Sequence, residues 1–560
     1  MTFKRACQLQ KKVKWGCMTA DRVNPGPSVF SAFFKASLTE KICLVAGLVF
    51  IVLYGWLEDD AYIYFRYVDN LIIHNIGLVF NPGEYVEGFS SPAWLAVLAA
   101  LRFFHMNYWL AVRLMGMAVF IAFWYLAVAI NRKFSRPQED GLVLNIPLIF
   151  LTCTYGVICY FTSGLESPLV LLEAAAYAAI FLFPASVWLQ FIIGLSPLVR
   201  HELVLPLVMV FLCVWKKKQA FPVFLFCTAF LGNVSYALFR IWYYADFFPN
   251  TFYLKDTVWV DQGLAYLYDT AIAYDVLPLL GLALVAYFWL RRRYGRDFLQ
   301  EDDRVLMIIT ALPVLAYVVK IGGSYQHFRY LSFPFCLGVF ASAGLAEMLF
   351  RHVGRRHRAM ILSATACMAL LFFSHYPRQL QQHPAFRSGF GYAFKYFLKI
   401  SEAANSRFDG THITPDLFSV LPVDLSFDRA ASAFAEAKPE LFSHYWCQAA
   451  FLNPRALVIH SLGLTEPFLA RTVMQPSSPG HYWGLEEMAK SIMDLRHRYG
   501  FRPGVFAFAL RQGSAPSWVE NNLQSISQIE QKIYNRHNFS ENLNLALTPV
   551  VKILPSPKDK

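Results

Sequence analysis

Long apolar runs alternate with short polar segments through the first two thirds of the chain. Many of these runs approach or exceed about 18 residues, the length that a helix needs to cross the hydrocarbon core of a bilayer. Inside lipid, backbone polar groups can be satisfied within helices, and the runs are too long and too uniformly apolar for barrel strands. The pattern therefore predicts a polytopic α-helical membrane protein with about eleven spans.

The ends of these predicted spans divide the polar residues into two groups. Basic clusters such as Lys216–Lys218 and Arg291–Arg293 follow alternate spans, and the polar motifs fall at the opposite ends. Because Lys and Arg are retained on the cytoplasmic side, the clusters predict a cytoplasmic N-terminus and place the motifs outside. Residues 1–40 are then a basic cytoplasmic tail, and residues 41–375 are the membrane domain with a large first outer loop at 57–107.

The region 376–560 is more polar and has the length of an ordinary domain. Alternating residues at Thr411–Val420 and Ala456–His460 predict strands, and the pattern at Trp483–Arg498 predicts a helix. The topology puts this region outside, so we expect a C-terminal extracytoplasmic α/β domain.

Composition agrees with a membrane protein and argues against a nucleic-acid partner and against a disulfide framework. The 560 residues are 56% hydrophobic and only 16% charged. The net charge of +12 could indicate a nucleic-acid partner, but its Lys and Arg residues lie in short clusters that report orientation. We therefore expect a lipid bilayer and no nucleic acid as partner. The ten cysteines show no disulfide framework, and only Cys447 lies in the polar C-terminal region.

The acidic residues that follow the first apolar run are the leading candidates for chemistry. Glu58, Asp59 and Asp60 come directly after it, and acidic side chains beside hydrocarbon are costly unless they serve a purpose. Two further carboxylates, Glu84 and Glu87, follow in a Gly/Pro-containing turn, where we expect them to be exposed. An acidic pair can also hold a divalent cation, so a cation stays an alternative, whereas no His/Cys spacing supports zinc.

Other charged and polar residues share the predicted outer face. Cations at the boundary between lipid and water suit an anionic phosphate, and a carboxylate suits an acceptor hydroxyl or a positively charged sugar carbon. Each also has an ordinary alternative, since Arg200 and Lys255 can mark helix ends and Glu166 can be a helix N-terminal carboxylate. The remaining members of this set are Arg66, His201, Glu202, Asp246, Asn250, His327 and Arg329.

Several phrases, in chain order, resemble the GT-C superfamily of membrane glycosyltransferases. Within it they are most similar to the mycobacterial terminal β-(1→2)-arabinofuranosyltransferase family and its bacterial homologues. The phrases are DDAYIYFRYVDN (Asp59–Asn70), GLVFNPGEYVEGFSSP (Gly77–Pro92), SGLESPL (Ser163–Leu169), LVRHE (Leu198–Glu202), DFFPNTFYLK (Asp246–Lys255), GGSYQHFR (Gly322–Arg329) and SLGLTEPFLAR (Ser461–Arg471) with PGHYWGLE (Pro479–Glu486).

The resemblance implies an enzyme of a bacterial inner membrane that uses a polyprenyl-phosphate-linked sugar, with arabinofuranose the best-supported case. The acceptor would be a hydroxyl of a cell-envelope glycan, a glycoprotein or another exported molecule. Asp59 or Asp60 would be the catalytic carboxylate. The residues expected to bind the donor phosphate or sugar are Arg66, Glu166, Arg200, Asn250, Lys255, His327 and Arg329.

A transporter or flippase of lipid-linked sugars is the alternative from a different class. It would use lipid-facing cations equally well, but it gives no reason for carboxylates gathered on one face instead of at the bilayer midplane. Release of polyprenyl phosphate in the presence of a glycan acceptor would separate the two functions.

Overall fold

A computed structural model describes residues 36–53, 55, 57–135, 145–255, 258–274, 276–324, 328–352, 441–444, 447–473, 486–534 and 538–554. The described part is mostly helical. The structure does not describe residues 1–35 of the predicted basic tail, the predicted last span at Met360–Phe373, the predicted strand at Thr411–Val420 or His327.

The first part of the chain forms a succession of helices. In order they are α1 (Leu38–Leu53), α2 (Ala61–Ile72), α3 (Pro92–Phe103), α4 (Tyr108–Ser135), α5 (Ile146–Cys153), α6 (Tyr155–Ile158), α7 (Ser167–Leu182), α8 (Val187–Gly194), α9 (Ser196–Val199), α10 (Val204–Lys218), α11 (Val223–Tyr244), α12 (Asn250–Leu254), α13 (Val260–Ala273), α14 (Val276–Tyr294), α15 (Arg296–Leu299), α16 (Glu301–Lys320), α17 (Ser332–Ala341) and α18 (Leu345–His352). Short 3₁₀ turns lie at Cys159–Phe161, His201–Leu203 and Arg329–Leu331.

Three helical stretches among the described residues are long and apolar enough to cross a membrane, at Tyr108–Ser135, Val223–Tyr244 and Arg329–Phe350. Other apolar segments are shorter, interrupted or charged at one end, as where residues 146–161 divide into α5, α6 and a 3₁₀ turn. The described part of the chain is thus helical with three candidate spans, and the larger number of about eleven stays a prediction.

The polar sequence between Tyr243 and Asp275 predicts a long outer loop, but the described residues of this segment are largely helical. It contains α12 and α13, and α13 packs beside the end of α16, with the Trp259 backbone N–H donating to the Lys320 carbonyl at 2.7 Å. The polar residues that suggested a loop belong to a helix of mixed polarity whose Tyr266 side chain is fully buried.

The long helices run between two ends of the bundle that differ in chemistry. At one end, Lys217 on α10 pairs with Asp303 on α16, and Gln300 donates to the Lys133 carbonyl at the end of α4. At the other end lie the starts of α7 and α10 and the Gly322–Gly323 turn. Arg291 on α14 also pairs with Glu301 at the start of α16, so basic clusters at Lys133, Lys217 and Arg291 lie at the end away from the polar motifs. This grouping agrees with the predicted alternating topology.

The described C-terminal residues form a small parallel strand pair with helices. Its elements are β1 (Leu441–His444), α19 (Cys447–Leu452), β2 (Leu457–His460), α20 (Pro467–Ala470), α21 (Glu486–Tyr499), α22 (Val505–Arg511), α23 (Ser517–Asn521), α24 (Leu523–Tyr534) and α25 (Phe539–Leu547). β1 pairs with β2 in register Leu441 with Leu457. The predicted strand at Ala456–His460 and helix at Trp483–Arg498 correspond to β2 and α21.

This C-terminal region shares a hydrophobic core with the first outer loop. Phe80, Phe89 and Trp94 from residues 57–107 are buried together with Phe468 and Trp518. A separate core fills the helical bundle. Residues 57–107 and the described C-terminal region are therefore packed against each other in one core.

Glu84 and Glu87, predicted to be exposed, are buried at this junction. Glu84 accepts hydrogen bonds from Tyr534 Oη at 2.9 Å and pairs with Arg496 at 2.9 Å. Glu87 pairs with Arg240 on α11. The prediction of exposure was wrong because the three partners lie far along the chain, where no local pattern links them to the turn.

Candidate active site

The turn that carries Asp59 and Asp60 is held against the SGLESP motif. The Glu58 backbone N–H donates to the Ser163 carbonyl at 2.8 Å. Gly164 has a positive φ of +80°, and a Cβ on it would lie 2.6 Å from the Ala61 Cβ. A glycine is therefore needed here both for the backbone conformation and for the close approach to the start of α2.

A buried carboxylate then joins two cations from different motifs. Glu166 Oε1 accepts a hydrogen bond from Arg200 Nη1 at 2.7 Å and one from Arg329 Nη2 at 3.2 Å. Burial by itself would raise the pKa of Glu166, but the two guanidinium groups outweigh it and lower the pKa to about 2. Arg200 also pairs with Glu202. Glu166 is thus charged at neutral pH and fixes both arginines.

The same network reaches the turn that carries Asp59 and Asp60, called the acidic turn below. Arg329 Nη1 lies 3.9 Å from Asp60 Oδ2, so one guanidinium lies between Asp60 and Glu166. The Asp60 side chain keeps 19% exposure, whereas that of Glu166 keeps 1%. The structure therefore brings together four predicted site residues: Asp60, Glu166, Arg200 and Arg329.

Tyr330 extends this cluster to Lys255. The Arg200 guanidinium lies over the Tyr330 ring, 4.3 Å from its centroid, and Lys255 Nζ donates to Tyr330 Oη at 3.0 Å. Within the described part of the chain, Lys255 has no carboxylate within ion-pair distance. Of the cations in the cluster, it is the one whose charge is least compensated.

Asp59 faces the C-terminal region. Its carboxylate accepts hydrogen bonds from the backbone N–H groups of Cys447 at 2.9 Å and Gln448 at 3.1 Å. Burial raises the pKa of Asp59 to about 7 and the nearby Asp60 charge adds to this, against the hydrogen bonds, which favour the charged form. A carboxylate with a pKa near neutrality can exchange a proton at physiological pH.

Arg66 and Asn250 lie apart from this cluster, at the junction with the C-terminal region. The buried Arg66 guanidinium donates to the carbonyls of Phe80 at 2.7 Å, Asn453 at 3.0 Å and Ala456 at 2.7 Å. Asn250 Nδ2 donates to the Gly463 carbonyl at 3.0 Å. In these positions both residues connect parts of the chain, and their predicted contact with the donor stays a prediction.

His201 and Asp246 also have protein partners. His201 Nε2 lies 3.3 Å from Tyr317 Oη. Asp246 Oδ2 accepts a hydrogen bond from Arg471 Nη2 at 2.6 Å, which ties α12 and its preceding loop to α20. Tyr330 and the contact of Cys447 with Asp59 were not predicted from the sequence. Tyr330 directly follows the GGSYQHFR phrase, so its position was a usable signal, whereas the partner of Cys447 was not readable.

Within the described ranges, no group of three or more His, Cys, Asp or Glu side chains is placed so that it could hold a metal ion. The cation considered from the acidic pair thus stays an untested alternative.

Two proteins of known activity are similar to this chain. One is a terminal β-(1→2)-arabinofuranosyltransferase of Mycobacterium tuberculosis, 28% identical over 341 residues, which cover 50% of this chain and 51% of that protein. The other carries the same name in Corynebacterium glutamicum and is 29% identical over 331 residues, which cover 50% of this chain and 46% of that protein. The chain therefore spans about half the length of the curated relatives it matches.

No family model and no solved structure matches the chain. The similarity to the two transferases nevertheless confirms the resemblance seen in the motifs: over about half its length, the chain is similar to terminal β-(1→2)-arabinofuranosyltransferases.

Proposed function

We propose that this protein is a membrane glycosyltransferase that transfers a sugar, arabinofuranose in the first instance, from a polyprenyl-phosphate donor. The acceptor is a hydroxyl of a cell-envelope glycan or another exported molecule, on the outer side of a bacterial inner membrane. The observation that carries the proposal is the network of Asp60, Arg329, Glu166 and Arg200, which unites four motifs that resemble the arabinofuranosyltransferases.

The cations of this network suit the phosphate of the donor. Arg200 and Arg329 are held by carboxylates, whereas Lys255 donates to the Tyr330 hydroxyl and is therefore the first candidate for the phosphate oxygens. A bound phosphate would supply a negative charge that the described residues do not place beside Lys255. Cations around the phosphate also make it a better leaving group, because they stabilise the charge that develops as its bond to the sugar breaks.

The carboxylates have separate roles in the proposed transfer. Asp59 accepts the proton of the acceptor hydroxyl, since its pKa of about 7 suits a general base. The hydroxyl oxygen forms the new bond to the anomeric carbon, and the old bond to the phosphate oxygen breaks with its electron pair on polyprenyl phosphate. Asp60 beside Arg329 stabilises positive charge on the sugar carbon.

Transfer by purified full-length protein tests the proposal. With polyprenyl-phosphoryl-arabinofuranose and an arabinan acceptor, we expect release of polyprenyl phosphate and a lengthened glycan. Asp59→Asn should lower kcat by roughly 10²–10⁴-fold, the range of a lost acid–base group. Asp60→Asn should also lower kcat, because it removes the negative charge that stabilises the sugar carbon. Asp302→Asn, whose exposed side chain lies at the other end of the bundle, is the matched control and should keep full activity.

Full activity in both the Asp59 and the Asp60 variants would exclude the carboxylate mechanism. A flippase would behave differently again, since it would move the lipid-linked sugar between leaflets of a vesicle without releasing polyprenyl phosphate. The gathering of carboxylates and cations at one end of the bundle favours the transferase over that alternative.

A further inference from the structure

The C-terminal region contributes side chains, as well as backbone, to the surroundings of Asp59. Cys447 is fully buried at the start of α19, and its backbone N–H donates to the Asp59 carboxylate at 2.9 Å. This contact brings its thiol beside the carboxylate, where a side-chain hydrogen bond from the thiol lowers the pKa of Asp59. Cys447 Sγ also lies 3.2 Å from His460 Nε2, on the neighbouring strand β2. Asp59, Cys447 and His460 therefore form a chain of three polar groups that links the acidic turn to the parallel strand pair.

We propose that Cys447 and His460 are positioning residues for Asp59: the thiol donates a hydrogen bond to the carboxylate, and His460 holds the thiol in the orientation that allows it. This inference rests on the proposed function, in which Asp59 is the general base. It assigns the C-terminal region a direct part in the reaction, beyond any contact with the acceptor glycan.

The charge around Cys447 keeps the thiol a donor. Burial raises the pKa of Cys447 well above its usual value, and the carboxylates of Asp59, Asp60 and Glu58 raise it further. The Arg66 guanidinium lies on the other side, where it donates to the Ala450 carbonyl of the same helix. A neutral thiol can donate to the charged form of Asp59, so it favours the ionised carboxylate.

The orientation of α19 follows from contacts at both of its ends. Asp59 accepts the first backbone N–H groups of the helix, and Arg66 binds carbonyl groups at and beyond its last turn. Both residues come from the segment 57–75, on either side of the start of α2. The helix is thus fixed relative to the acidic turn, which gives the thiol a defined place beside the carboxylate.

The pH dependence of kcat in the full chain separates positioning from packing. Loss of the thiol donor in Cys447→Ala should raise the pKa of Asp59, so that the acidic limb of the profile moves to higher pH by roughly half to one unit. The kcat of Cys447→Ala should then be lower than that of the unmodified chain near pH 6.5 and similar to it near pH 8.5. Cys447→Ser retains a donor and should return the limb towards its original position, and His460→Gln should move it in the same direction as Cys447→Ala.

Cys336→Ala is the matched control, because Cys336 is also fully buried but lies in the bundle on α17. It should leave the limb where it is. A fall in kcat by the same factor at every pH in Cys447→Ala, with the limb unmoved, would overturn the inference and leave Cys447 a packing residue.

Thermal unfolding as a function of pH gives a measurement that needs no sugar donor. The folded-state pKa of Asp59 is raised from 3.8 to about 7, so its protonated form is favoured in the fold and stability falls as the pH rises through this window. Cys447→Ala should extend the fall to higher pH, and Asp59→Asn should remove the Asp59 contribution. Unchanged profiles in both Cys447→Ala and His460→Gln would contradict the positioning role.

The two proposals fail in distinguishable ways. If Asp59→Asn transfers sugar at the full rate, the proposed general base is wrong, whatever the thermal profiles show. If Asp59→Asn is inactive but neither Cys447→Ala nor His460→Gln moves the pH profile, only the positioning role is wrong.

Discussion

Lys255 and the two arginines beside it differ in what balances their charge. Arg200 and Arg329 share Glu166, and a buried ion pair of this kind holds its members in one geometry. Lys255 instead donates to Tyr330, a neutral hydroxyl. Binding a phosphate stabilises a cation less when carboxylates already balance its charge than when they do not. The phosphate role therefore falls first on Lys255 and then on the arginines.

Replacing Lys255 tests this difference. Lys255→Met keeps much of the side-chain length and removes the charge, so the KM for the polyprenyl-phosphate donor should rise roughly 10- to 100-fold, the loss of one charge-assisted hydrogen bond. The KM for the acceptor glycan should stay within about twofold, since the phosphate belongs to the donor alone.

Lys216→Met is the control for this substitution, because Lys216 is exposed in the basic cluster at the end of α10. Its steady-state constants should match those of the unmodified chain. Equal increases in KM for donor and acceptor in Lys255→Met would speak against a phosphate contact.

Helix α2 connects the acidic turn to the C-terminal region through Arg66. The guanidinium is fully buried and binds carbonyls from residues 80, 450, 453 and 456, so it joins the first outer loop to α19 and to the residue before β2. Such a contact can hold a helix that is too short to be stable by itself. Together with the contact of Asp59 at the start of α19, this side chain holds the helix, and hence Cys447, in place.

Arg66→Met should separate the two segments. It leaves several buried carbonyls without their donor, and we expect the free energy of unfolding to fall by about 2–5 kcal/mol. Limited proteolysis of the detergent-solubilised chain should then cut the C-terminal region faster. Arg296→Met, which removes an exposed ion pair with Asp302, should cost about 1 kcal/mol or less. Equal protease resistance in the Arg66 variant and the parent would refute the connecting role.

In the described part of the molecule, the candidate site residues and the basic clusters lie at different ends of the helices. Lys133 and Lys217 contact their neighbours at the end where α16 begins, and the acidic turn lies where α7 and α10 begin. This polarity agrees with a topology in which the basic end is cytoplasmic. A lipid-linked sugar could then reach Asp59 and Asp60 from the outer leaflet.

Labelling of single cysteines tests that orientation. His74 and Lys218 are exposed at opposite ends of the fold. In a background without the native cysteines, His74→Cys should react with an impermeant maleimide in spheroplasts, and Lys218→Cys should react only after permeabilisation. The reverse pattern would place the acidic turn in the cytoplasm and contradict the proposed outer-face reaction.

The fold was predictable where local pattern decides it. The 14-residue apolar segment Ser91–Phe104 was too short to span a bilayer, and it forms α3 with a Ser91 N-cap and Pro92 at its start. The helices ending at Lys216–Lys218 and Arg291–Arg293 were equally readable, because an apolar run and a basic end occur together. Glu84 and Glu87 were misjudged because a Gly/Pro turn does not reveal a later region that covers it.

The sequence by itself determined that the chain is helical, that its apolar runs match a membrane, and that Asp59, Asp60, Glu166, Arg200, Lys255 and Arg329 are candidates for one site. Those features depend on periodicity and composition over a few turns of helix. Only the tertiary structure decided that the two aspartates have different partners. Asp60 lies beside Arg329, and Asp59 binds the start of a helix at Cys447, 388 residues later in the chain. The physical reason is that a charge takes its partner from whatever the packed core brings within a few ångströms, and the core of the first loop is completed by residues from the far end of the chain.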